Sequence, residues 1–125
     1  METLDLDILR PEKKLVKIGG QTIDLSYIPC GITFDVDKIV RTLGKFTEKE
    51  LIADADKAKI AFELSIQLCA LFCTVKHPEL DEEWWRNNAD ITQINQFAYA
   101  VQEALVKAYK GIESPQMAIK QKVKK

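Results

Sequence analysis

The stretch TEKELIADADKAKIAFELSIQLCALFCTVKHP, residues 47–78, decides the fold of this 125-residue chain. It opens with a capping box, since Thr47 precedes Glu50 by three residues, and such a pair is typical of a helix start. It closes at Pro78, because a proline disfavours helical backbone in the residue before it. We therefore predict one long helix from the cap to about Lys76.

Apolar and small residues recur along this helix at alternating spacings of four and three. The first stripe comprises Leu51, Ala55, Ala58, Phe62, Ser65, Cys69 and Phe72. A second apolar face comprises Ile60, Leu64, Leu68, Leu71 and Val75. The first stripe suits a helix partner. With both faces, the second half of the helix is apolar almost all round, which predicts that it is the central buried helix.

Upstream, two strand-like runs flank a glycine pair. The runs are Leu15–Ile18 and residues 23–28, with Gly19-Gly20 between them. Glycine permits the positive φ angles of a tight hairpin turn. A third run, residues 4–8, alternates leucine or isoleucine with aspartate, as a strand with one polar face does. We predict that residues 1–30 form a β-hairpin or a three-stranded meander.

A short helix over residues 35–43 is predicted between the hairpin and the long helix. Thr33 can cap it, and Gly44 follows its last residue. After the proline, Asp81 can cap a second short helix that contains two adjacent tryptophans. Asp90 or Thr92 then begins the last helix.

The last helix is predicted to end at Gly111, so a single globular domain spans residues 1–112. The predicted fold class is α+β, with the hairpin region at 1–30 and a bundle of about four helices at 33–112. Residues 113–125 carry four lysines and are predicted to be a flexible basic tail. The formal net charge is -1 overall, so the domain itself is acidic, which disfavours binding to nucleic-acid phosphates.

Three cysteines do not pair evenly, which indicates a reducing compartment. Cys69, Cys73 and His77 share one helix face, and with Cys30 they would make a four-ligand zinc set. His77 could also serve Cys73 as a base. Both helical cysteines lie in apolar sequence, however, where a thiol acts as a small hydrophobe. We therefore expect no catalytic residue, no metal and no cofactor, and hence no enzyme.

The most apolar stretch, residues 60–75, is shorter than the roughly 20 residues of a membrane span. Glu63 and Gln67 interrupt it, and the acidic N-terminus lacks the basic start of a signal peptide. The sequence thus predicts a soluble cytoplasmic protein without a membrane partner.

Two surfaces are candidates for protein contact. The hairpin edge offers backbone donors and acceptors that can pair with another strand. Adjacent tryptophans on a helix point in different directions, so one can enter the core while the other anchors an interface. The candidate contact residues are Val16, Ile18, Ile23, Leu25, Tyr27, Trp84 and Trp85.

The order and size of the predicted elements over about residues 1–112 also resemble those of a known protein family. The resemblance rests on KLVKIGGQTIDLSYIP at 14–29, the helix over 35–43, the long helix, EEWW at 82–85 and the final helix. In this arrangement and size the chain resembles the tail assembly chaperones of long-tailed bacteriophages and related prophages.

The resemblance implies an α+β domain that binds the tape-measure protein, with tail-tube subunits as a further candidate partner. It also implies self-association into a homo-oligomer, a place in the host cytoplasm and absence from the mature virion. It transfers no catalytic or binding residues. Two alternatives stay open: a structural tail or connector component, and a small nucleic-acid-binding regulator that uses the lysine tail.

Overall fold

The computed structural model describes residues 3–6 and 13–113. In chain order its strands and α-helices are β1 (Leu15–Ile18), β2 (Gln21–Asp24), α1 (Thr33–Leu43), α2 (Glu48–Ala53), α3 (Ala55–Thr74), α4 (Glu82–Asn88) and α5 (Ile91–Glu113). An antiparallel hairpin followed by a helical bundle confirms the predicted α+β class.

The hairpin forms as the glycine pair predicts. Ile18 pairs with Gln21, which leaves a two-residue turn. Gly19 has a φ of 54° and Gly20 a φ of 79°, the left-handed values that this turn requires at both positions. Within the described residues the sheet has two strands, and residues 3–6 are not in a strand. The rest of the proposed third strand, residues 7 and 8, lies outside the described residues.

The predicted cap of α1 is wrong. Thr33 is the first residue of the helix, and a short 3-10 turn, Cys30–Ile32, leads into it. The Thr33 hydroxyl donates a hydrogen bond to the Pro29 carbonyl at 3.2 Å, so it ties the helix start to the hairpin exit. Gly44 does follow the last residue of the helix.

The predicted long helix is two helices. The capping box is confirmed, since Thr47 Oγ1 accepts a hydrogen bond from the Glu50 amide at 3.1 Å. The helix then breaks at Asp54, whose φ of -127° and ψ of 104° are extended. The Asp54 carboxylate accepts from the amides of Asp56 and Lys57, so it caps α3 and satisfies two amides that would otherwise lack partners.

α3 is the centre of the bundle, as predicted, and packs against α1, α2, α4 and α5. Its buried residues lie mainly in the second half: Ala61, Ser65, Ile66, Leu68, Cys69, Ala70, Phe72 and Cys73. The second apolar face is buried only in part, because Ile60 and Val75 near its two ends are exposed. α3 ends at Thr74, two residues before the predicted end.

Two aspartates begin the last two helices. The Asp81 carboxylate accepts from the Trp84 amide at 2.9 Å, which confirms the predicted cap of α4. Asp90 accepts from the Gln93 amide at 2.8 Å, and Gln93 Oε1 accepts in return from the Asp90 amide at 2.9 Å. This reciprocal pair makes Asp90 the start of α5 and leaves Thr92 inside the helix.

The predicted end of α5 at Gly111 is wrong, because the helix continues to Glu113. A glycine inside a helix costs only about 1 kcal/mol relative to alanine, and an otherwise favourable helix tolerates it. The predicted tail, from residue 114 onward, lies outside the described residues. None of the helices in the described ranges combines the length and the apolar character that crossing a bilayer requires.

The hairpin closes one side of the helical core. Its inward residues Ile18, Ile23 and Leu25 belong to the same buried cluster as residues of α3 and α5. Trp85 lies in that cluster too and is fully buried. A two-stranded hairpin is marginal alone in water, so this packing is what stabilises it.

Candidate protein interface

The hairpin candidates divide between the core and the surface. Ile18, Ile23 and Leu25 are buried, so they stabilise the fold. Val16 and Tyr27 are only partly buried. The division is not one between the two faces of the sheet, because Val16 pairs with Ile23 and lies two residues from Ile18, so it shares their inward face. Tyr27 lies beyond the end of β2, which is Asp24.

Tyr27 joins the hairpin exit to the end of α3. Lys76 Nζ donates a hydrogen bond to the Tyr27 hydroxyl at 2.7 Å and lies 4.5 Å from the centre of the ring. Nearby, hydrogen bonds from the Ser26 hydroxyl and amide lower the pKa of the Asp24 carboxyl. These contacts hold the end of β2 in place, so this part of the hairpin has a structural role.

The two side chains of the tryptophan corner, Trp84 and Trp85, pack mainly against other parts of the same chain. Trp85 is fully buried and its ring centre lies 4.9 Å from that of Phe97. Trp84 is half-buried and meets Trp85 edge to face, with 5.3 Å between the ring centres. A Cβ built on Gly19 would lie 2.8 Å from Trp84 Cζ2, so the indole covers the hairpin turn.

A groove of about 500 Å³ opens between β1 and α5; we call it the β1–α5 groove. Its strand side comprises Lys14, Val16, Lys17 and Ile18. Its helix side comprises Thr92, Gln93, Gln96, Phe97, Tyr99, Ala100 and Glu103. Of the contact residues that the sequence singles out, Val16 and Ile18 line this groove and the other five do not.

The groove has an apolar base and a polar rim. Val16, Phe97 and Ala100 supply apolar surface, while Gln93 and Gln96 add amide groups that can donate and accept hydrogen bonds. Such a combination is typical of surfaces that bind peptide segments. Sequence patterning does not predict the helix side, because the polar positions of α5 look like an ordinary solvated face.

Two further residues set the rim of the groove. Tyr99 is 60% exposed on α5, so its ring is accessible from the groove. Lys14 Nζ lies 3.4 Å from Glu103 Oε2, so an ion pair spans from the strand to the helix. An exposed tyrosine in the last helix is the one signal by which the sequence could have indicated this surface.

The hydrogen-bond pattern of the hairpin shows which backbone groups of β1 lie at its outer edge, beside the groove. The Leu25 amide donates to the Lys14 carbonyl at 2.8 Å, so these two residues form a hydrogen-bonded pair. Bonded and non-bonded pairs alternate along an antiparallel ladder. The amide and carbonyl groups of Leu15 and Lys17 therefore point away from β2, towards the outer edge of β1.

A second, smaller groove of about 330 Å³ lies over the first turns of α3. Its lining residues are Leu43, Leu51, Ala58, Ala61, Phe62, Ser65, Ile91 and Asn95. The early part of the first apolar stripe lines this groove and is partly open to solvent. Helix α5 packs on the later part, where Cys69 contacts Ile94 and Phe72 contacts Phe97. The stripe that the sequence assigns to one helix partner is thus only half covered.

The thiols do not form a reactive centre in the described part of the chain. Cys69 and Cys73 are buried, and burial raises the pKa of both, that of Cys73 to about 12. Cys69 Sγ lies 3.6 Å from the Ile94 carbonyl oxygen, while Cys30 is exposed elsewhere. Among the described residues, no group of three or more His, Cys, Asp or Glu side chains is arranged to hold a metal ion.

Any assignment of function therefore depends on the β1–α5 groove, the adjoining strand edge and the layout of the chain. Comparisons of the chain with protein-family models, with curated proteins and with solved structures find no match in any of the three.

Proposed function

We propose that this chain is a tail assembly chaperone of a long-tailed bacteriophage or prophage. Its client is the tape-measure protein, with tail-tube subunits as a further candidate. The observation that carries the proposal is the β1–α5 groove, an open apolar channel with a polar rim beside a strand edge. The resemblance in layout supplies the class of client, and the groove supplies a place for it to bind.

The properties of the groove suit a chaperone that binds reversibly. The resemblance implies a client that is bound before the tail assembles and a chaperone that is absent from the finished virion, so the chaperone has to bind and then release its client. A groove of about 500 Å³ covers a short segment of such a client. Interfaces of limited area are typical of transient complexes. In this proposal the chain acts in the host cytoplasm, binds without covalent chemistry and is absent from the finished virion.

The test is co-expression of the tagged chain with its expected client, a long helical tape-measure protein. We expect the client to stay in the soluble fraction and to co-purify with the chain. Replacing Tyr99 by alanine should reduce the recovered client at least tenfold, because the ring lies on the groove rim. Val106→Ala is the matched control: Val106 is also an exposed apolar residue of α5 but does not line the groove.

Two outcomes would contradict the proposal. The first is a client that is equally soluble without the chain and does not co-purify with it. The second is the chain itself in purified particles at a fixed copy number, which would make it a structural component of the tail. Salt-dependent binding to DNA or RNA without client binding would favour the regulator instead.

A further inference from the structure

We infer that the β1–α5 groove takes its partner as an added β-strand: an extended segment of alternating apolar and acidic residues pairs with the outer edge of β1. This inference rests on the proposed function and specifies the segment of the client that is bound. Three features carry it: the unused edge of β1, the residues that line the groove and the charge on its strand side.

The edge of β1 borders the groove. On one strand, Val16 and Ile18 face one side of the sheet and Lys17 the other, yet all three line the groove. A cavity under one face of the sheet would be lined by only one of these two sets. The groove therefore wraps around the strand edge, where the outward amide and carbonyl groups of Leu15 and Lys17 lie.

The edge is suited to pairing with a short segment. β1 has four residues, which span about 13 Å at about 3.3 Å per residue, and an added strand would lie about 4.8 Å away. In the described part of the chain, the groups that β1 turns outward have no strand beside them. Strand addition would give each of them a partner, whereas a helix in the groove would leave them without one.

The two sides of the strand set the chemistry of the partner. Side chains that the added strand places on the side of Val16 and Ile18 meet apolar surface, including Phe97 and Ala100. Side chains on the opposite side lie next to Lys17, because cross-strand neighbours share a face. An alternation of apolar and acidic residues satisfies both sides at once.

The distribution of ion pairs around the groove favours an acidic partner. Glu103 is the one carboxylate among the described groove-lining residues, and Lys14 is already paired with it. In the part of the chain that the structure describes, no ion pair involves Lys17. Its ammonium group is left to attract a carboxylate from the partner strand.

The test uses two labelled synthetic peptides and the full chain, with binding followed by fluorescence anisotropy. The acidic probe has the sequence TVDVDVT, and the matched basic probe is TVKVKVT. We expect the acidic probe to bind about threefold more tightly, because a single exposed ammonium group contributes only a modest attraction, and its binding should weaken as salt increases. Lys17→Glu should reverse the preference between the two probes.

A substitution by proline in β1 distinguishes strand addition from other modes of binding. Leu15→Pro removes an amide that points away from β2, so the bonds of the hairpin remain while the bond to the added strand is lost. We expect acidic-probe binding to weaken at least tenfold. Leu15→Ala, which keeps the amide, should change it less than threefold. Circular dichroism and thermal unfolding of both variants report whether the hairpin is intact.

Equal binding of the two probes would overturn the inference, and so would binding that Leu15→Pro leaves unchanged in a folded chain. A probe that becomes helical when bound would overturn it as well. If the probes fail but co-expression still rescues the tape-measure protein, only strand addition is wrong. If co-expression fails and the acidic probe binds as expected, the phage client is wrong and the strand site stands.

Discussion

The two candidate contact surfaces, the tryptophan corner and the hairpin edge, lie at the same hairpin but differ in how far the fold covers them. At the turn, Gly19 packs under Trp84, and Trp85 beneath it is fully buried. Along the strand, β1 borders an open groove of about 500 Å³. The comparison indicates that the tryptophan corner stabilises the fold, whereas the outer edge of β1 has no strand beside it in the described part of the chain.

The difference has a physical cause. An indole removes a large apolar area from water, so the domain gains by burying the Trp85 ring in its core and by packing the half-buried Trp84 ring on the hairpin turn. A strand edge gains nothing until another chain supplies donors and acceptors. Substitutions at the corner should therefore change the free energy of unfolding, and substitutions at the groove should change binding.

The largest effect is expected at Trp85. Replacing it by alanine should lower the free energy of unfolding by about 3–5 kcal/mol, the cost of emptying a buried aromatic site. Urea unfolding followed by circular dichroism measures the loss. Trp84→Ala is the matched control and should cost clearly less, because that ring is only half-buried. Equal losses for the two variants would mean that the corner does not divide into a core ring and a covering ring.

The next effect is expected at the turn. Gly19→Ala should lower the free energy of unfolding by about 2–3 kcal/mol, because it combines a left-handed φ with the clash against Trp84. Gly20→Ala should cost only about 1 kcal/mol, since its φ is also left-handed but nothing lies within 4 Å. In a Trp84→Ala background, the two glycine variants should become alike. If Gly19→Ala stays the more costly there, the contact with Trp84 does not explain the difference.

Local signals in the sequence predict the parts of the fold that short-range contacts decide. The Gly19-Gly20 turn, the capping box at Thr47 and the cap at Asp81 all form as expected. Each depends on residues within three positions of one another, so no knowledge of tertiary packing is needed. The same applies to the burial of the second half of α3, which follows from its apolar composition.

Other features depend on tertiary packing. The apolar stripe passes Asp54 without interruption, so its spacing does not reveal that the helix breaks there. An aspartate inside a helical pattern can face solvent or cap a new helix, and the packing of the following helix decides between them. The β1–α5 groove joins residues more than 70 positions apart, so no local pattern predicts it.

A smaller effect is expected at the cap of α4. Asp81→Ala should lower the free energy of unfolding by about 1 kcal/mol, the usual cost of losing an N-cap. Asp81→Asn is the control and should be nearly neutral, since asparagine caps as well as aspartate does. Hydrogen exchange should quicken at the start of α4 in the alanine variant only. A neutral alanine variant would mean that the packed tryptophans fix the helix without its cap.

The smallest effect is expected at the groove. Lys14→Gln removes the pair with Glu103, whose two side chains are 47% and 45% exposed, so the free energy of unfolding should fall by no more than about 0.5 kcal/mol. A double-mutant cycle with Glu103→Gln, measured by urea unfolding at two salt concentrations, isolates the pair. A coupling above about 1.5 kcal/mol would mean that the groove wall depends on this bridge. A weak coupling would leave the wall free to adjust to a strand, because Lys14 and Glu103 could then separate at little cost.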